Sequence, residues 1–173
     1  MSGANHADGD LLPPSIAEID RPTWINPAVS ASNPASLRSV IRIRQHELAV
    51  DEAVAKGGTD SGPTPLETAL ASLAACEAVI IRIVATAMRF DYRGVEVSCE
   101  GVVDLRGARG VVGVRPHFQS VRVVVTLNTD EPERRIAMLR RNVEQRCPVL
   151  NLFTAAGVAV ELFWQTNKGS ETT

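Results

Sequence analysis

The segment TPLETALASLAACEAVIIRIVATAMR, from Thr64 to Arg89, constrains the fold more than any other part of the chain. Thr64 is a candidate N-cap and Pro65 takes the first helical position, whose N–H no helix would use. Glu67 stands three residues after the cap, the arrangement of a capping box. Ala and Leu dominate the run after Glu67 and apolar residues cover most of the circumference, so the spacing predicts a buried helix over about 65–89. At 1.5 Å per residue it would reach roughly 37 Å, more than a domain of this size covers alone. A partner subunit is the expected cover, with Leu70, Leu73 and Ile80 in the contact. The run from Ala69 to Val84 is interrupted by Ser72, Glu77 and Arg82 and falls short of the ~20 apolar residues that a bilayer requires.

On either side of this helix the signal is mostly strand. Residues 1–35 carry Pro13, Pro14, Pro22, Pro27 and Pro34 without apolar periodicity, which predicts an extended arm anchored at Trp24 or Ile25. From Leu37 onward, Ile41 and Ile43 alternate with Arg42 and Arg44, and a second alternation runs through Leu48, Val50, Glu52 and Val54, predicting a hairpin. The Gly- and Pro-rich stretch from Lys56 to Pro65 reads as a loop. Beyond the helix, Val95, Val97, Cys99, Gly101, Val103 and Leu105 alternate with polar residues, placing Cys99 on the inward side of a strand. A loop over 106–117 leads to a strand through Val121, Val123, Val125 and Leu127. Thr129 or Asp130 is the expected cap of a helix over 131–146, with Ile136, Leu139 and Val143 inward. A short helix after Pro148 ends at Gly157, a last strand covers 158–164, and 167–173 form a polar tail. Strands and helices are segregated rather than alternating, which predicts an α+β fold with mainly antiparallel sheet.

Charge and cysteine content narrow the chemistry. Eighteen basic and twenty acidic residues, interspersed, give a formal charge of −2, so no basic footprint for nucleic acid or for a membrane surface is present. No basic segment followed by an apolar stretch opens the chain, which predicts a cytoplasmic protein. In that reducing compartment three cysteines are expected as free or transiently bonded thiols. No Cys-x-x-Cys, no Cys and His ligand spacing and no His-Glu-x-x-His helix points to zinc. His6, His46 and His117 fall in the arm, a strand end and a loop, which gives no Cys–His pair. Cys76, inside the helix, reads alone as a small core residue or as a reactive thiol. Cys147 directly precedes Pro148, where the first turn of a helix offers unpaired N–H groups and a positive dipole end that favour thiolate. Cys99 has no basic neighbour on its face and reads as structural.

Taken together, SGPTPLETALASLAAC and, about seventy residues on, RCPVLNLFTAAGVAVELFW resemble the OsmC/Ohr family of osmotically inducible and organic hydroperoxide resistance proteins. The resemblance extends from Leu37 to Trp164, which places an OsmC-like domain at 36–166. It implies an intertwined homodimer of α+β subunits whose long helices cross at the centre. It also implies a thiol peroxidase without haem, metal or flavin, with Cys76 at the peroxidatic position and Cys147 at the resolving one. Organic hydroperoxide would be its substrate and an external dithiol its reductant. In the family an arginine from the N-terminal sheet, held by a glutamate, serves the reactive thiol; Arg42 and Arg44, on one face of the first strand, are the candidates, with solvated strand charges as the alternative reading. The hydroperoxide-resistance pattern places its glutamate directly after the proline, where this chain has Leu66, and the acid comes one residue later at Glu67, rotated by ~100°. Glu67 is thus a candidate both for that role and for the capping box. Two other classes fit the same residues, a non-catalytic module holding a small apolar or acyl ligand and a stress protein whose thiols are merely buried.

Overall fold

The computed structural model describes Pro22 and residues 24–168, so most of the expected arm and most of the polar tail lie outside the described residues. The chain divides into two compact units, 21–72 and 73 onward, with the boundary inside the long helix.

In the unit 21–72, strands β1 (Ser30–Ser32), β2 (Ser39–Ile43) and β3 (His46–Val50) form an antiparallel sheet in that order. β2 and β3 are the expected hairpin. Ile43 pairs with His46, which leaves a two-residue turn in which Arg44 has φ 56°. The first residue of such a tight hairpin turn takes positive φ to match the twist of the strands. Arg44 therefore lies outside the strand, and the expectation that it shares a face with Arg42 is corrected. β1 gave no apolar signal because its Ser-Ala-Ser side chains are all exposed and only its backbone is paired. Trp24 and Ile25, the expected anchors, are 83% and 81% exposed.

The second alternation stops at Val50 because Asp51 turns inward and gathers the loop behind it. Its carboxylate accepts hydrogen bonds from the Thr59 N–H (3.0 Å) and hydroxyl (2.5 Å), the Ser61 N–H (3.2 Å) and hydroxyl (3.0 Å), and the Glu52 N–H (2.8 Å). The loop is drawn so close that a Cβ at Gly58 would lie 1.8 Å from the Glu52 carbonyl oxygen, and one at Gly62 would lie 2.4 Å from that of Ala49. These donors, the Thr59 hydroxyl foremost, hold the Asp51 carboxyl well below the usual carboxylate range. A group depressed in this way stabilises the fold fully above its unfolded pKa, about 3.9, and loses that contribution as the pH falls through its folded value. Asp51→Asn should therefore lower Tm at pH 7, and the gap to the unmodified protein should narrow as melts are taken below about pH 4. A gap that widens in acid would show that another group carries the loop.

Helix α1 (Pro65–Ala87) starts as the capping box requires: the Thr64 N–H donates to Glu67 Oε2 at 2.7 Å and the Glu67 N–H to Thr64 Oγ1 at 3.2 Å. It ends in a Schellman motif. Arg89 has φ 49°, the Phe90 N–H reaches the Ala85 carbonyl at 2.8 Å, and the Arg89 N–H reaches that of Thr86 at 3.2 Å. Within one chain the burial of α1 is one-sided. Leu73, Glu77, Ile81, Val84 and Ala85 are buried, whereas Val79 and Ile83 are 57% and 49% exposed. By length and composition this 23-residue helix is also long and apolar enough to cross a membrane, which corrects the expectation that it falls short.

In the unit from Leu73, strands β4 (Gly94–Val103), β5 (Phe118–Asn128) and β6 (Ala159–Asn167) form a second sheet in that order. β4 is antiparallel to β5, but β6 runs parallel to it. A parallel neighbour needs a crossover connection. Helices α3 (Glu133–Arg146) and α4 (Pro148–Ala155) supply it, while a single turn α2 (Leu105–Ala108), capped by Asp104, begins the loop after β4. Val121, Val123, Val125 and Leu127 of β5, Leu73, Ile81 and Val84 of α1, and Leu139 and Val143 of α3 form the fully buried core. α3 starts later than expected. Pro132 fixes an extended backbone at its N-cap position without any side-chain cap. The Thr129 hydroxyl instead donates to the Asp91 carbonyl at 2.6 Å and accepts from the Glu131 N–H at 3.1 Å, and Asp130 pairs with Arg93. Arg135 closes the same corner, its Nη2 donating to the Met88 and Arg89 carbonyls at 3.1 and 2.9 Å.

Candidate active site

Leu73, Glu77, Ile81 and Val84 recur at helical spacing, so the buried stripe of α1 carries a carboxyl in its middle. Cys76, one residue earlier, is turned ~100° about the axis and is half-buried. Cys147 is placed by the break between α3 and α4. Its N–H closes α3 on the Val143 carbonyl at 2.9 Å, and Pro148 holds it extended, at φ −68° and ψ 107°. From there its Sγ accepts the Leu150 N–H at 3.4 Å and serves as the N-cap of α4. The Cys147 side chain is fully buried. Its thiol neighbours that of Cys76, outside ordinary hydrogen-bond geometry, and both are free. The fold thus brings together two sulfurs about seventy residues apart in the chain.

Against this pair lies Glu77, which is 0% exposed. Its polar neighbour is the Cys147 thiol, a contact outside ordinary hydrogen-bond geometry, so neither carboxyl oxygen has a conventional hydrogen-bond partner. Burial raises the Glu77 pKa, the Cys147 thiol opposes the shift, and the Glu144 charge adds to it. Burial likewise pushes the Cys147 thiol far up, reinforced by Glu77 and Cys76, and the Leu150 N–H offsets only part of this. The expectation that the helix terminus makes Cys147 a ready thiolate is therefore reversed, because loss of water and a neighbouring carboxyl outweigh a terminal dipole worth about 0.3–1 kcal/mol. Cys99, on the inward face of β4 as expected, is pushed up to about 11 by burial and then by the Glu77 charge. Cys99→Ala should cost about 1 kcal/mol of stability and leave the reactivity of the other two thiols unchanged; thiol counts after oxidant treatment check this, and a variant that stops reacting would make Cys99 one of the reactive pair.

The other predicted site residues belong to the unit 21–72 and have local roles there. Arg42 pairs with Glu47 across the hairpin at 2.8 Å, with both side chains about 60% exposed, as a solvated strand charge would be. Arg44 occupies the turn. Glu67 serves the capping box, and the Thr64 N–H and hydroxyl hold its carboxyl below the usual range. Sequence reading missed Glu77, which it took as an interruption of an apolar run. Its spacing of four from both Leu73 and Ile81 was the available signal. Among the described residues no cluster of three or more His, Cys, Asp or Glu side chains is arranged to hold a metal ion.

Comparison with known proteins identifies the family. The family profile described as OsmC-like protein matches residues 58–163, more than half of the chain. No curated protein matches. Among solved structures, an OsmC-like protein from Mycoplasma pneumoniae superposes with TM-score 0.70 at 17% identity, over 84% of this chain and 99% of that one. An organic hydroperoxide resistance protein from Elizabethkingia anophelis gives TM-score 0.67 at 15% identity, over 84% and 99%. A further hydroperoxide resistance protein OsmC, from Legionella pneumophila, gives 0.64 at 16% identity, over 83% and 99%. With the family profile spanning both cysteines and the α+β fold shared along nearly the whole length of these structures, the chain belongs to the OsmC-like family.

Proposed function

We propose that the protein is a two-cysteine peroxidase for organic hydroperoxides. The observation that carries this reading is the contact between a half-buried thiol, Cys76, and a fully buried one, Cys147. Only the first is open to a bulky oxidant. In the first step the Cys76 sulfur, as thiolate, attacks the distal oxygen of ROOH; the O–O bond breaks, ROH leaves with a proton, and Cys76 becomes a sulfenic acid. Cys147 then displaces the hydroxyl as water and forms the Cys76–Cys147 disulfide, which an external dithiol reduces by two exchanges. Cys147, held protonated by its surroundings, is suited to wait for the sulfenic acid rather than to meet the peroxide itself. The names of the E. anophelis and L. pneumophila structures support the same class of substrate. The exposed Val79 and Ile83 support a homodimer built on α1, and the reducing cytoplasm is the compartment in which such a cycle is regenerated.

One observation favours the binding-module reading. In the unit 21–72 an open hollow of about 260 Å³ is lined by Leu37, Ile41, Val50 and Pro65 and has a mainly apolar surface. Titrating the reduced protein with cumene hydroperoxide and with hydrogen peroxide, while counting thiols, separates the two. The peroxidase loses two thiols per chain, faster with cumene hydroperoxide. Loss of none, or slow loss of all three together, would favour the ligand module.

A further inference from the structure

Glu77 has no structural explanation within the core it occupies. An unpartnered carboxyl is costly to bury, neither Glu77 oxygen has a hydrogen-bond partner, and Leu73 and Ile81 on the same stripe show that a leucine would suit the position. What distinguishes the site is its neighbour, the thiol of Cys147, which in turn touches Cys76. The other titratable groups acting on Glu77 are few: Glu144 of α3, itself paired with Arg140 at 2.7 Å, and Cys99 of β4. No base other than Glu77 is in contact with the Cys147 thiol, among the described residues.

We propose that Glu77 is the proton carrier of the resolving step, a role that rests on the peroxidase reading above. As the Cys147 sulfur attacks the sulfenic sulfur of Cys76, its S–H proton passes to the Glu77 carboxylate. The S–S bond forms, the S–O bond breaks, and Glu77 returns the proton to the departing hydroxyl, which leaves as water. Cys147 is oxidised, the Cys76 sulfur is reduced from sulfenic acid to disulfide, and Glu77 ends as it began. A carboxyl raised by burial is matched to this exchange, because its proton affinity lies closer to that of the thiol than an ordinary carboxylate's does. Because the Glu77 and Cys147 side chains are both fully buried, such a relay replaces the bulk base that would otherwise have to deprotonate a thiol held far above neutral pH.

The test is a rapid-quench comparison of the unmodified protein with Glu77→Gln and Glu77→Leu. Sulfenic acid is trapped with dimedone and disulfide counted by mass spectrometry after one equivalent of cumene hydroperoxide. Sulfenic acid should appear at the unmodified rate in both variants, while disulfide formation slows by about 10²–10⁴-fold, the usual contribution of a positioned acid–base group. In the Gln variant the residual rate should rise about tenfold per pH unit above neutrality, as bulk hydroxide takes over, where the unmodified protein is flatter. Glu77→Leu should melt higher and still stall at the sulfenic acid; this keeps the test decisive if the Gln variant folds poorly. Disulfide forming in either variant at the unmodified rate and with the unmodified pH profile would overturn the relay. An unmodified protein that yields neither sulfenic acid nor disulfide would overturn the peroxidase reading itself.

Discussion

Cys76→Ser is expected to reduce hydroperoxide consumption to background, whereas Cys147→Ser should consume one equivalent per chain and then stop. In the proposed mechanism the half-buried sulfur meets the hydroperoxide, while burial raises the proton affinity of the other. In the Cys147 variant the sulfenic acid on Cys76 has no resolving partner, so dimedone should trap it and excess peroxide should carry it to the sulfinic form. The variant should also fold, because serine is a favoured N-cap and its oxygen can accept the Leu150 N–H that Sγ accepts in the native chain. Should Cys76→Ser instead retain one fast event, the order of attack is reversed and the burial argument fails. If neither substitution changes consumption, redox chemistry is not the function of the pair.

The second large effect is expected at the uncovered side of α1. Val79 and Ile83 lie one turn apart and flank Arg82, and both are about half exposed or more. In a two-fold dimer each residue is used twice, so replacing both by glutamate removes four apolar side chains from the interface. At about 1.5 kcal/mol each, the low end for aliphatic burial, the loss is about 6 kcal/mol, or roughly four orders of magnitude in Kd. Light scattering at micromolar concentration should then report a monomer for this variant and a dimer for the unmodified chain. A monodisperse monomer from the unmodified chain would contradict the proposed assembly. The sequence pointed to Leu70, Leu73 and Ile80 for this contact, but Leu73 is 0% exposed within its own chain, on the stripe that carries Glu77.

That displacement shows which parts of the fold could be read in advance. Local rules with a short reach held: the Thr64 and Glu67 capping box, the alternation along β4 and β5, the break at Pro148 and the glycine after α4 all depend on neighbours within a few residues. Features that depend on distant partners did not. An apolar helix covered on most of its circumference does not say which side meets its own sheet, and a carboxyl within it reads as an interruption until the Cys147 thiol lies against it. β1 is invisible because backbone pairing alone makes it, and the parallel run of β6 comes from a crossover that alternation cannot reveal. The cysteine pair was legible only through both motifs together, since neither Cys76 nor Cys147 carries a redox signature of its own. Thr129 and Asp130 looked like helix caps for their residue types, but the extended backbone at Pro132 moved the start of α3 and left them to hold Asp91 and Arg93.

The central claim is that Cys76 and Cys147 are the two ends of one oxidation. After one equivalent of cumene hydroperoxide, with remaining thiols blocked and the protein digested without reductant, mass spectrometry should find a single linked pair joining the peptides of Cys76 and Cys147, with Cys99 alkylated. A linked pair containing Cys99, or all three cysteines alkylated, would contradict it.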